Sequence, residues 1–107
     1  MIPDKLRVGA HTIEIKMVDR NSHENCGSAV VDSCKIFIRN DMPPSMQLET
    51  LVHEVLHLVR TLNGTNIKDA DAEERVVQAD AHLLYQFLKD NPNLLQEIIA
   101  LNEIQYI

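Results

Sequence analysis

The chain has 107 residues, 45% of them apolar but only 4% aromatic, which suits a single domain with a modest core of Leu, Ile and Val. Its net charge of −6, with no Lys/Arg stripe, argues against nucleic acid as a partner, because phosphate binding needs concentrated positive charge. No apolar run is long enough to cross a bilayer, and Met1 to Lys5 leads into polar sequence rather than a signal-type apolar stretch, so a cytoplasmic protein with no membrane partner is expected.

Strands are expected first. His11 to Val18 alternates, with Ile13, Ile15 and Met17 on one face and Thr12, Glu14 and Lys16 on the other. Asp19 to Asn25 is polar and loop-like. Gly27 to Val31 and Lys35 to Arg39 are short β-type runs around Asp32-Ser33, the pattern of a hairpin, and Asp41-Met42-Pro43-Pro44 ends the β region. A tight turn at Asp32-Ser33 sets Cys34 opposite Val31 and away from Cys26. Both cysteines, which lack C-x-x-C spacing, therefore read as reduced, buried thiols.

The period then becomes helical. Ser45 is the expected N-cap of a helix over about 46–62, with Asn63-Gly64 as its stop. Leu51, Val55, Leu58 and Leu62 lie on its apolar stripe. A second helix over about 70–89 begins among Asp69 to Asp71, whose carboxylates suit a helix N-terminus. Its core candidates are Val76, Val77, Leu83, Leu84, Phe87 and Leu88. Asn91-Pro92 reads as N-cap and N1 of a third helix, followed by a tail, over 92–107. The expected fold class is α+β: one domain over 1–107, with a small antiparallel or mixed sheet of about three strands in residues 1–40, then three helices.

The chemistry lies in His53-Glu54-Val55-Leu56-His57, which fits H-E-x-x-H inside the strongest helix. Residues i and i+4 share a helix face, so two imidazoles can converge on one ion. At 100° per residue these histidines point away from the apolar stripe, toward a second surface where a cleft can lie. Zinc accepts neutral imidazole nitrogens and, in a catalytic site, keeps one position for water whose pKa it lowers to about 7. Glu54, next to the first ligand, is the expected general base. A structural zinc completed by Cys26 or Cys34 is disfavoured, because both precede the helix on expected strands.

Two histidines require a third ligand. No histidine occurs from Leu58 to Thr65, which excludes the metzincin pattern and leaves a carboxylate on the following helix. Asp69, Asp71, Glu73 and Glu74 are available, and at least three of them must be solvated charge complementing the helix dipole.

This layout resembles the gluzincin clan of metallopeptidases, and within it the minigluzincins and the often phage-encoded proteins of the ImmA/IrrE type. The resemblance runs from the strand at Gly27-Ser28-Ala29, through Leu51 to His57, to Leu84 to Pro92. It implies a minimal zincin-like domain, a zinc cofactor, and a peptide or protein substrate added as a strand along an edge at Gly27, Ser28 and Ala29. In the ImmA/IrrE type the ligand helix reads E-x-x-A-N. Matching on Leu84 to Pro92 puts Glu74 at the ligand glutamate, Val77 at the small position and Gln78 at the Asn; a shift of one puts Glu73 there, and Glu74 is favoured. Asp80 departs from the pattern and is either a partner of a ligand histidine or a solvated carboxylate. For the residue stabilising the oxyanion, Tyr85, Tyr106, His11, His23 and His82 all stay open.

The functional expectation is a zinc metallopeptidase, a hydrolase with Glu54 catalytic and His53, His57 and Glu74 as metal ligands. A latent, zymogen-like form is a variant of it, with Asn102 to Ile107 lying in the cleft. The alternative is a non-catalytic or regulatory phage protein that binds a partner through the same cleft.

Overall fold

The computed structural model describes residues 2–21 and 25–105, with side chains through residue 101. It is an α+β domain: a four-stranded mixed sheet followed by three helices. The strands are β1 (Lys5–Val8), β2 (His11–Val18), β3 (Gly27–Val30) and β4 (Lys35–Arg39), in the order β1-β2-β4-β3. β2 and β4 run parallel at the centre, and an antiparallel partner flanks each. The helices are α1 (Pro44–Asn63), α2 (Ala70–Asp90) and α3 (Pro92–Gln105).

β1 adds a fourth strand to the expected three. It is four residues long, sits at an edge and buries only Val8, so its alternation is too brief to stand out beside Lys5 and Arg7. Gly9, at φ +60°, lets the chain turn from Val8 into His11 within two residues. The β3–β4 turn spans Val31 to Cys34, whose N–H donates to Val31 O at 3.1 Å. Cys26 and Cys34 are free thiols, but Cys26 is exposed and Cys34 half-buried, which corrects the expectation that both are buried. Cys26 lies at the mouth of the edge strand and not within a face.

The core lies between the sheet and α1. Ile13 and Ile15 of β2 and Ile36 and Ile38 of β4 point at Leu51 and Leu58, all of them buried. Met17 continues the β2 stripe yet is 42% exposed, although its neighbour Ile38 on β4 is fully buried. At the junction of β4 and α1, the Arg39 guanidinium grips Asp41 with two hydrogen bonds of 2.9 and 2.8 Å. Pro44 occupies the first turn, where a missing N–H costs nothing, so α1 begins directly after the β region. Ser45 therefore lies inside the helix and does not cap it. Gly64, left-handed at φ 70°, closes α1, with Thr65 N–H donating to Arg60 O at 2.8 Å.

α2 lies on the other side of α1. Asp69 caps it, its carboxylate accepting from the N–H groups of Asp71 and Ala72. Of the six core candidates on α2, only Val77 is buried, joined by Ala81. Leu83, Leu84, Phe87 and Leu88 are 38–66% exposed, a correction with a simple geometric cause. The contact of His82 with Glu49 falls close to the start of α1 at Pro44, so the rest of α2 has little of α1 left to pack on. α3 packs only lightly, against α2. The molecule is accordingly drawn out, 46 × 31 × 26 Å, with a radius of gyration of 14.8 Å against roughly 13 Å for a compact chain of this length.

Candidate metal centre

His53 and His57 stand one turn apart on α1, their ring centroids 4.9 Å apart and their planes inclined at 63°. The antiparallel approach of α2 brings Glu74 between them. Its Oε1 lies 2.6 Å from His53 Nε2 and its Oε2 lies 2.9 Å from His57 Nε2. The three donor groups fall within 4.8 Å of one another, so His53, His57 and Glu74 form a group able to hold a metal ion. The histidines are 18% and 23% exposed and the glutamate 53%, so the triad opens onto a surface and is not sealed in the core.

Glu73 has a different role. Its Oε1 faces the backbone N–H of Ile67 at 3.3 Å, which ties the loop before α2 to the helix. Of the other candidate carboxylates, Asp69 is committed to the cap, and Asp80 lies 3.6 Å from Arg60 Nη2 rather than against His53 or His57.

Glu54 is the one buried charged residue of the domain among the described residues, at 8% exposure. Burial is the main cause that pushes its carboxyl up to about 7; Glu74 adds to the rise and His57 opposes it. Its position follows from a close approach of α1 to β3. A Cβ on Gly27 would stand 2.7 Å from Thr50 Cγ2, 2.9 Å from the Phe37 carbonyl oxygen and 3.4 Å from Glu54 Cγ. Only a residue without a side chain lets the helix sit this low on the strand.

The triad and Glu54 line one cleft of about 840 Å³, with Gly27, Ser28 and Ala29 along its rim. β3 is an edge of the sheet, paired among the described residues with β4 alone, and its residues Gly27 to Ala29 border this cleft. Sequence reasoning did not single out Met46, Glu49, Thr50 or Thr61, which also line it. The signal was available for all four, since Met46, Glu49 and Thr50 precede His53, and Thr61 follows His57, at spacings that return to the same helix face. Among the described residues, no lysine or arginine lines the cleft.

Of the candidates for oxyanion stabilisation, His82 Nδ1 lies 3.0 Å from Glu49 Oε1, in a shallow recess beside the cleft. Tyr85 and His11 do not line the cleft, and His23 and Tyr106 lie outside the described residues. The tail expected to plug the cleft, Asn102 to Ile107, has no described side chains. Among the described residues, no helix is long and apolar enough to cross a membrane.

No protein-family model, curated protein or solved structure matches the chain.

Proposed function

We propose that the protein is a zinc-dependent peptidase of the minigluzincin kind, with His53, His57 and Glu74 as the metal ligands and Glu54 as the catalytic base. The observation that carries this reading is the convergence of two imidazole Nε2 atoms and one carboxylate, with a buried second carboxyl beside them. Two nitrogens and one oxygen match the His₂Glu donor set of catalytic zinc, and a cleft lined by no lysine or arginine among the described residues suits a divalent ion. When bound, zinc would polarise the scissile carbonyl and make water nucleophilic near neutral pH.

The chain's own residues supply the remainder. Glu54 takes the proton of the attacking water and delivers it to the leaving amine nitrogen, a task suited to a buried carboxyl that lines the cleft beside His53 and His57. A purely structural metal has no use for such a group beside it. The outer edge of β3 at Gly27, Ser28 and Ala29 offers backbone donors and acceptors to an extended peptide, which fixes the substrate across the cleft. The two free thiols favour a reducing, cytoplasmic setting.

The test is hydrolysis of a quenched-peptide library by the zinc-loaded chain, with products identified by mass. Activity abolished by chelator, restored by zinc and lost in Glu54→Gln supports the reading. Stoichiometric zinc without cleavage of any peptide overturns it and favours a partner-binding role for the same cleft.

A further inference from the structure

α2 and α3 leave an apolar surface that the rest of the domain does not cover. On α2, Leu83, Leu84, Phe87 and Leu88 fall within one arc of the helix. On α3, Leu94, Leu95, Ile98, Ile99 and Leu101 form a second arc, each 41–57% exposed. From Leu83 to Leu101 the only formal charges are Lys89, Asp90 and Glu97. The nine apolar residues of the two arcs are 38–66% exposed, which leaves together on the order of 800 Å² uncovered, comparable to one partner's share of a standard interface.

The two arcs suit each other, both being apolar and of similar length, yet they cannot close on one another within one chain. α2 ends at Asp90 and α3 begins at Pro92, so Asn91 alone joins them. Two helices need a loop of about two to five residues to fold back as an antiparallel pair. Asn91 is also held in place, with its side-chain amide donating to Phe87 O at 2.8 Å and its N–H to Leu88 O at 3.3 Å. Pro92 further restricts the joint by constraining the backbone of the residue before it.

We propose that two copies of this chain associate by reciprocal exchange of α3, the arm of each copy lying on the Leu83–Leu88 arc of the other. A twofold pairing buries both arcs at once and leaves Lys89, Asp90 and Glu97 at the rim. The metal centre lies beyond this surface, on the α1-facing side of α2 at Glu74, so the cleft stays open in the pair. The proposal does not depend on peptidase activity.

Sedimentation velocity on the full chain at about 10–100 µM is the test. The expected species has twice the 12.2 kDa chain mass. Ile98→Glu places a charge in the middle of the exchanged arm and should give a monomer with unchanged helical circular dichroism. Inserting Gly-Ser-Gly-Ser after Asp90 should also give a folded monomer, because the longer joint lets α3 close on its own α2 at millimolar effective concentration. A monomeric wild type overturns the proposal, as does a dimer that survives either change. If Ile98→Glu fails to fold, the insertion, which alters no apolar side chain, still decides.

Discussion

Gly27 and Thr50 meet so closely that the strand has no room for a single methyl group: a Cβ on Gly27 would stand 2.7 Å from Thr50 Cγ2. This contact seats α1 on β3 and sets the height at which His53 and Glu54 enter the cleft. Gly27→Ala must push Thr50 aside and also meets the Phe37 carbonyl oxygen at 2.9 Å, which is backbone and cannot rotate away. The expected cost is about 1–3 kcal/mol, read as a lower midpoint in thermal or urea unfolding. Gly9→Ala makes a useful contrast: nothing lies near its Cβ, so its cost comes only from φ +60°.

Glu74 and Glu73 are neighbours in sequence with separate tasks, and metal affinity should distinguish them. Glu74→Ala removes the carboxylate that spans both imidazoles. Zinc binding, measured by competition with a chromophoric chelator, should weaken by more than about 100-fold, beyond the range seen when only an outer partner of a ligand is lost. Glu73→Ala removes a contact to Ile67 N–H, so its effect should fall on the loop before α2 and leave zinc affinity within a few fold. Equal losses from the two variants would mean that the triad is wrongly assigned.

Much of this architecture can be read from local pattern. The i, i+4 pair His53 and His57, the alternation of β2, the stop at Gly64 and the cap at Asp69 are each set by residues within a few positions of one another. What depends on distant chain is not legible in that way. Which of Glu73 and Glu74 turns toward α1 follows from the angle at which α2 crosses it, and a helical wheel of α2 alone does not contain that angle. Leu83, Leu84, Phe87 and Leu88 have the spacing of a core face, yet burial requires an opposite surface, and α1 begins too late in the chain to provide one. Ser45 looks like a cap because of its type, but Pro44 before it already adopts helical geometry.

That distinction predicts unequal costs for the same chemical change. Leu58 is 1% exposed and packed among the β2 and β4 isoleucines, so Leu58→Ala should destabilise by about 2–5 kcal/mol through lost burial and a residual cavity. Leu62, one turn later on the same stripe, is 38% exposed, and Leu62→Ala should cost under about 1.5 kcal/mol. Chemical denaturation of both variants checks this, and a comparable loss at Leu62 would mean that α1 is covered by a surface the isolated domain does not display.

The last prediction concerns the metal-free protein and the pH at which it is most stable. Glu54 has an ordinary carboxyl pKa of 4.5 when unfolded and one of about 7 when folded and metal-free, raised chiefly by burial. Between those values the folded state holds a proton that the unfolded state has released, so the slope of stability with pH is negative across this window. Relative to acid conditions, the folded protein should lose about 3 kcal/mol from this residue as pH rises from below 4.5 to above 7, with no further loss beyond it. Glu54→Gln keeps the shape and removes the titration. The difference in unfolding free energy between variant and wild type should therefore grow in favour of the variant from pH 5 to pH 8 in the presence of chelator. Saturating zinc should narrow that difference, because a nearby dication favours the charged carboxylate and binding to the folded state alone adds stability. A difference that stays flat with pH in chelator would show that the Glu54 carboxyl is as well solvated in the fold as in the open chain, and with it the case for a poised base at this position would fall.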